Sequence, residues 1–311
     1  MLLLNSIVEI YGFIQPQTTQ RMAPSQLTAG SPAPDAMQTS PSTTLQQQDL
    51  SIAGPAGPLA LRLYRPSLAR VVLPVVLYFH GGGFVGGSLD DADAAAGFIA
   101  EHTPALVVAV DYALAPARPF PAAPEDAHAA ALWTAAHAAE LGGDPARLAV
   151  AGDDAGGNLA AALTLIARDR NGPAIAAQAL VGPMLDPSMT RLGDGVRLNS
   201  DLSAATCASC YSQYLPQSRQ RLHPYASPLA SVRQAGLPPA LIVTAECDVL
   251  HNEAEKYAAA LIAAGVPTQV VRFAGVNHAT LASHRPALAE IAHFLRRRLW
   301  DAEAPAHPLN L

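Results

Sequence analysis

A mostly parallel α/β sheet with helices on both faces is the fold class the sequence predicts. Three observations carry it. Two long apolar runs, VVLPVVLYFH over 71–80 and ALVVAVDY over 105–112, read as central strands buried on both faces. Alanine-rich segments of helical character alternate with such runs along the chain. The glycines and ionisable residues that could do chemistry cluster just after predicted strands, where parallel sheets place their functional groups.

Length allows one large α/β domain or two small ones. The chain has 311 residues, 50% of them hydrophobic and 14% charged, which favours an extensive core over disorder. The net charge of −6 offers no footprint for nucleic acid. The basic cluster Arg296-Arg297-Arg298 lies near the end of an apolar-periodic segment and suits a helix C-terminus. No apolar run approaches the ~20 residues of a membrane span. The apolar start MLLLNSIVEIYGFI lacks a basic leader and a clean cleavage site, so a cytoplasmic location is expected. Cys207 and Cys210 form a C-x-x-C, but Cys247 alone cannot complete a zinc site. The pair reads as ordinary buried or helix-surface thiols, and no metal is expected.

Along the chain, residues 1–48 are expected to form an N-terminal arm or cap segment, because 15–48 are rich in Pro, Gln, Thr and Ser. The domain is expected over 49–311. LALRLYRP alternates and ends at Pro66, as a strand does. The central runs at 71–80 and 105–112 flank a helical segment over 89–101. A second helix is expected over 124–140, closed by Gly142-Gly143. Strands follow at 147–152, 174–182, 239–246 and 268–275, with helices at 155–169, 251–264 and 286–299. Residues 186–226 break this rhythm and read as a cap insertion over the strand ends.

The chemistry-bearing positions follow in order. His80-Gly81-Gly82-Gly83-Phe84 ends a central strand, and its glycines let backbone N–H groups converge on one point. Gly152-Asp153-Asp154-Ala155-Gly156 joins a strand to a helix with the G-x-S-x-G spacing of a nucleophile elbow, but with Asp154 at the centre. Asp248 follows the strand at 239–246, and His278 the strand at 268–275. Taken singly, Asp154 and Asp248 could cap helices and His278 could be a loop histidine. Together they stand in the order nucleophile, acid, histidine.

Those residues sit in longer stretches: YFHGGGFVGGSLD, VVAVDYALAPARPFPAAPEDA, LGGDPARLAVAGDDAGGNLAA, LPPALIVTAECDVL and AGVPTQVVRFAGVNHAT. In these the chain resembles the hormone-sensitive-lipase (bacterial family IV) branch of the α/β-hydrolases, from about residue 50 to 300. The resemblance implies the α/β-hydrolase fold, an esterase- or lipase-like activity and no cofactor. It puts the oxyanion donors at Gly82, Gly83 and Ala155, the acid at Asp248, the base at His278 and the family's serine at Asp154. The chain departs from the family pattern at Ala113, Ala117 and Val249, and in His278-Ala279-Thr280.

A carboxylate at the elbow changes the chemistry. Attack on a carbonyl would give an anhydride, whereas attack on a saturated electrophilic carbon leaves an ordinary ester that water can hydrolyse. The expected protein is therefore a hydrolase of small apolar ester-like or electrophilic substrates with an atypical aspartate elbow. A catalytically impaired or ligand-binding member is the alternative. Tyr211 and Tyr214 lie one helical turn apart in the insertion and could protonate a leaving oxygen, but suit packing better. The only partner expected is a small-molecule substrate, with a homodimer left open.

Overall fold

The computed structural model describes residues 45–67 and 71–301. Of the expected arm only its last four residues fall among them. They belong to a strand, β1 (Leu45–Gly54), which runs on across residue 49. β1 pairs antiparallel with β2 (Gly57–Pro66) along its whole length. Its sequence, LQQQDLSIAG, gave no strand signal because it is an edge: only Ile52 is buried, and the glutamines face out.

Among the described residues the sheet has eight strands in the order β1-β2-β4-β3-β5-β6-β7-β8. The others are β3 (Leu73–Phe79), β4 (Leu106–Val110), β5 (Gly143–Asp153), β6 (Ala177–Val181), β7 (Ala240–Cys247) and β8 (Thr268–Asn277). β2 also pairs antiparallel with β4, and every pairing from β4 to β8 is parallel. β3 and β4 are buried at every position, which is why they read as unbroken apolar runs.

The two faces of the sheet carry separate cores. Val75, Leu77 and Phe79 of β3 face α2 (Ala122–His137), α3 (Asp154–Asp169) and α5 (His251–Ala263). Val76 and Tyr78 face α1 (Leu89–His102) and α7 (Arg285–Leu299). Each such fully buried side chain contributes roughly 1.5–3 kcal/mol relative to exposure. Alanine lines the inner faces of α1, α2 and α3, so these helices can lie close to the pleat. The last turn of α7 holds Arg296, Arg297 and Arg298, the placement that complements a helix dipole. Among the described residues no helix is long and apolar enough to cross a membrane.

Within 186–226 the chain forms irregular loops, α4 (Ala204–Tyr214) and a short 3₁₀ turn over Ser218–Leu222. A further short helix, α6 (His278–Leu281), follows β8 directly. Leu202, Thr206, Cys207 and Cys210 of this segment line the cavity at the carboxyl ends of the strands.

Candidate active site

β5, flanked by β3 and β6, delivers Asp154 to the carboxyl edge of the sheet. Asp154 is the first residue of α3 and holds φ of +52°, a left-handed conformation that Asp tolerates better than most side chains. The turn closes only because residue 156 is glycine: a Cβ there would run into the carbonyl oxygens of Phe79 and His80. This is the strained strand-to-helix elbow that the sequence spacing predicts.

The loop after β3 meets the elbow from the other side. Gly82, at φ +113°, and Gly83 turn their N–H groups onto Asp154, donating to Oδ2 at 2.9 and 2.7 Å. The loop is held from beneath. Tyr112 donates its hydroxyl proton to the His80 carbonyl at 2.7 Å, and its ring stacks on the His80 imidazole. Burial lowers the His80 pKa, so this ring stays neutral. Ala155 is fully buried at the start of α3, but its N–H makes no hydrogen bond to the Asp154 carboxylate. Gly82 and Gly83 thus both engage the same oxygen of Asp154.

β7 and β8 supply the other two groups. Asp248 is fully buried and divides its carboxylate: Oδ1 accepts from the Leu250 N–H, and Oδ2 lies 2.9 Å from His278 Nδ1. A carboxylate only accepts, so Nδ1 carries the hydrogen and Nε2 faces the elbow. Asp248 is not the cap of α5: Leu250 is the N-cap and α5 has no side-chain cap, while Asp248 Oδ1 holds the turn that precedes the helix. Nε2 lies 3.7 Å from Asp154 Oδ1. That oxygen is buried and accepts no hydrogen bond among the described residues.

The charges explain the proton affinity of His278. Burial alone would push the imidazole down. The Asp248 hydrogen bond and the charges of Asp154, Asp248 and Asp153 outweigh it and raise His278 to about 9. Asp153 sits behind the elbow, where burial raises it to about 6 against the bond donated by the Tyr78 hydroxyl at 2.7 Å.

Asp154 and His278 open into a cavity of about 620 Å³. Its apolar wall includes Val85, Ala94, Ala95, Met184 and Leu202. Tyr211 and Tyr214 do not line it. Both are buried with unpartnered hydroxyls, and Tyr214 stacks on Phe84 at 3.8 Å, so they pack α4 against the glycine loop. The C-x-x-C thiols are free, and both border the cavity. Neither tryptophan reaches the site; Trp300 is fixed through its indole N–H to the Thr103 carbonyl.

Sequence reasoning missed two supporting carboxylates. Asp201, within 186–226, accepts from the backbone N–H groups of His278 and Ala279 at 3.1 and 3.0 Å, anchoring the histidine turn. Glu253 is fully buried on α5 and accepts from the N–H groups of Leu185 and Asp186 at 2.6 and 3.3 Å. Asp201 gives no sequence signal, because a loop carboxylate 77 positions away from its partner is ordinary surface by any local rule. Glu253 had one: it falls at an inward position of α5, among Ala254, Tyr257 and Leu261.

Known proteins agree with this architecture. Residues 76–282 match the family Abhydrolase_3, described as the alpha/beta hydrolase fold. The chain is 42% identical over 233 residues to "Esterase LipI" of Mycobacterium tuberculosis, covering 73% of this chain and 72% of that one. It is 40% identical over 239 residues to "Ethyl acetate hydrolase" of Pseudomonas putida, covering 74% of each. Among solved structures, the carboxylesterase EstE1 from a metagenomic library superposes with a TM-score of 0.79 at 38% identity, over 83% of this chain and 90% of that one. The hyperthermophilic esterase of Pyrobaculum calidifontis gives 0.76 at 38% identity, over 82% and 84%. The chain belongs to the Abhydrolase_3 family and is an α/β-hydrolase enzyme with esterases among its relatives.

Proposed function

We propose that the protein hydrolyses small, largely apolar ester-like or electrophilic substrates through a covalent ester on Asp154, with His278 as base and Asp248 as its orienting acid. The observation that carries this reading is the division of labour within one carboxylate. Oδ2 is held by the Gly82 and Gly83 N–H groups, while Oδ1 is unpartnered beside His278 Nε2.

Oδ1 attacks an electrophilic carbon and the bond to the leaving group breaks: a halide departs, or an epoxide oxygen stays tethered as an alkoxide and takes a proton from water. The product is an alkyl ester of Asp154 whose carbonyl oxygen is Oδ2, already in the donor pocket. His278 then takes a proton from water, the water attacks Cγ, and negative charge builds on Oδ2, where the two N–H groups stabilise it. Collapse breaks the bond between Cγ and Oδ1, His278 gives its proton to the departing alcohol oxygen, and the Asp154 carboxyl loses its remaining proton to solvent. Esterification also removes the Asp154 charge, one of the influences that hold His278 up, so the intermediate lowers the proton affinity of its own base.

The relatives named as esterases support the hydrolytic class. For an ordinary carboxylic ester, the carbonyl oxygen would have to enter a pocket that Asp154 Oδ2 fills. This chain is therefore expected to favour electrophiles with a good leaving group on saturated carbon. A second reading keeps ester hydrolysis: water held between Oδ1 and Nε2 attacks the ester directly. The unpartnered Oδ1 favours it.

The insertion over 186–226 acts in this scheme as the lid that selects the alkyl or acyl group, through the wall contributed by Leu202 and Thr206. The test is a panel of short-chain aryl esters, terminal epoxides and primary haloalkanes, assayed with the native protein and with Asp154→Asn. Turnover of an epoxide or haloalkane that Asp154→Asn loses is the expected result. A panel left untouched by the native protein, with no mass adduct on it, overturns the reading.

A further inference from the structure

Two thiols in the cavity wall have no part in hydrolysis. Cys207 and Cys210 lie three residues apart on α4, so they project from one helix face with Cβ atoms about 5–6 Å apart. Both border the cavity that holds Asp154 and His278, and both are free. Cys210 is half-buried, and its Sγ lies so close to Gly83 that a Cβ on that glycine would meet it at 2.6 Å. Cys207, one turn earlier, is 1% exposed. Among the described residues no cluster of three or more His, Cys, Asp or Glu side chains could hold a metal ion, so these thiols offer two ligands and no more.

Two soft ligands in a small, mostly apolar cavity suit a centre that binds two sulfurs and brings its own apolar substituent. We propose that Cys207 and Cys210 form a bidentate binding site for trivalent organoarsenicals in the wall of the catalytic cavity. The step balances without a redox partner. Phenylarsine oxide meets two thiols, two As–S bonds form and the As–O bond breaks. Both thiol protons leave on that oxygen as one water, and arsenic stays trivalent. Cys210, the more open thiol, bonds first. The second bond is then intramolecular, and such linkage typically strengthens binding by ~10²–10⁴-fold. Burial pushes Cys207 up to about 12, and burial with the Asp154 charge raises Cys210. Both are therefore protonated at neutral pH, which disfavours one-thiol alkylation and peroxide oxidation.

The test reads binding by mass and is independent of what Asp154 does in turnover. The full-length protein is mixed with one equivalent of phenylarsine oxide. The expected result is one adduct, lighter by one water than the sum of its parts and mapped to the α4 peptide. It should survive gel filtration and an excess of a monothiol, and be released by 2,3-dimercaptopropanol. Cys207→Ala and Cys210→Ala should each weaken retention by ~10²-fold or more, while Cys247→Ala should not change it. No adduct, or an adduct stripped by the monothiol, overturns the proposal without recourse to any variant. Equal retention in either α4 variant, with native circular dichroism, overturns it as well.

Discussion

Asp154 and Glu253 are built alike and set to opposite uses. Each holds one carboxylate oxygen against two consecutive backbone N–H groups, Gly82 and Gly83 in one case, Leu185 and Asp186 in the other. Each leaves its second oxygen buried and unpartnered. The difference lies in what faces that second oxygen. Beside Asp154 stand the His278 imidazole and an open cavity. Glu253 is sealed, and burial pushes it up to about 8, so it keeps its proton at neutral pH. A two-donor cradle therefore does not make a carboxylate reactive. Access to substrate, with a histidine beside it to activate water, does, and the same cradle without them is a structural tie.

Removing the neighbour should have the largest effect. In His278→Gln, alkylation of Asp154 is still expected, but the ester should accumulate and steady-state turnover should fall ~10²–10⁴-fold, the usual contribution of a general base. Intact-protein mass spectrometry after mixing with an electrophile reads the trapped ester. Its absence, together with lost turnover, would place His278 in the first step instead.

Changing the attacking atom comes next. In Asp154→Ser the carboxylate leaves the donor pocket, so an ester carbonyl can enter and the hydroxyl can attack with His278 as base. Activity on short-chain aryl esters should rise by ~10²-fold or more, within the range expected of general-base activation. The variant should also label stoichiometrically with an organophosphonate, while the native protein does not. The titration of His278, followed by NMR, should move below about 9, because the Asp154 charge is among the causes that raise it. A folded but inert serine variant would mean that Asp248 and His278 no longer support acyl chemistry.

Disturbing the cradle itself follows. Gly82→Val puts a β-branched side chain at φ +113°, where its Cβ would strike the Gly86 carbonyl. Loss of one such donor typically costs ~3 kcal/mol in the transition state, about 10²-fold in rate. Unchanged turnover in folded protein would remove the glycine loop from the mechanism.

Glu253→Gln should matter least, and through stability rather than rate. Glu253 holds its proton in the folded state up to about 8, whereas the unfolded chain releases it near 4.5. The native protein therefore loses stability as pH rises from about 4.5 to 8, and the glutamine variant should lose less over that window. Well below pH 4.5, where Glu253 is neutral in the folded and unfolded chain alike, their urea midpoints should nearly coincide. His278 slopes the same way: its contribution is complete below about 6.5 and fades as pH rises through about 9. Midpoint curves of equal slope for both proteins would show that Glu253 is ionised in the fold.

The two carboxylates also mark what the chain disclosed before folding. Asp154 was legible because glycines at 152 and 156 flank it between an apolar strand and a helix, a local pattern with few structural solutions. Asp248 and His278 were legible by order, each just past a strand. Glu253 and Asp201 were not singled out, since each acts on backbone N–H groups of a segment remote in sequence. β1 was missed because an edge strand with one buried residue has no apolar period to read.

The central claim is that Oδ1 of Asp154 forms a bond to substrate and water attacks Cγ. A single turnover of an epoxide or haloalkane in ¹⁸O-labelled water, with enzyme in excess, tests it directly. The first product should carry an unlabelled new hydroxyl, supplied by Oδ1, and one ¹⁸O should appear in the Asp154 peptide. Label in the first product, with an unlabelled Asp154 peptide, would contradict the account.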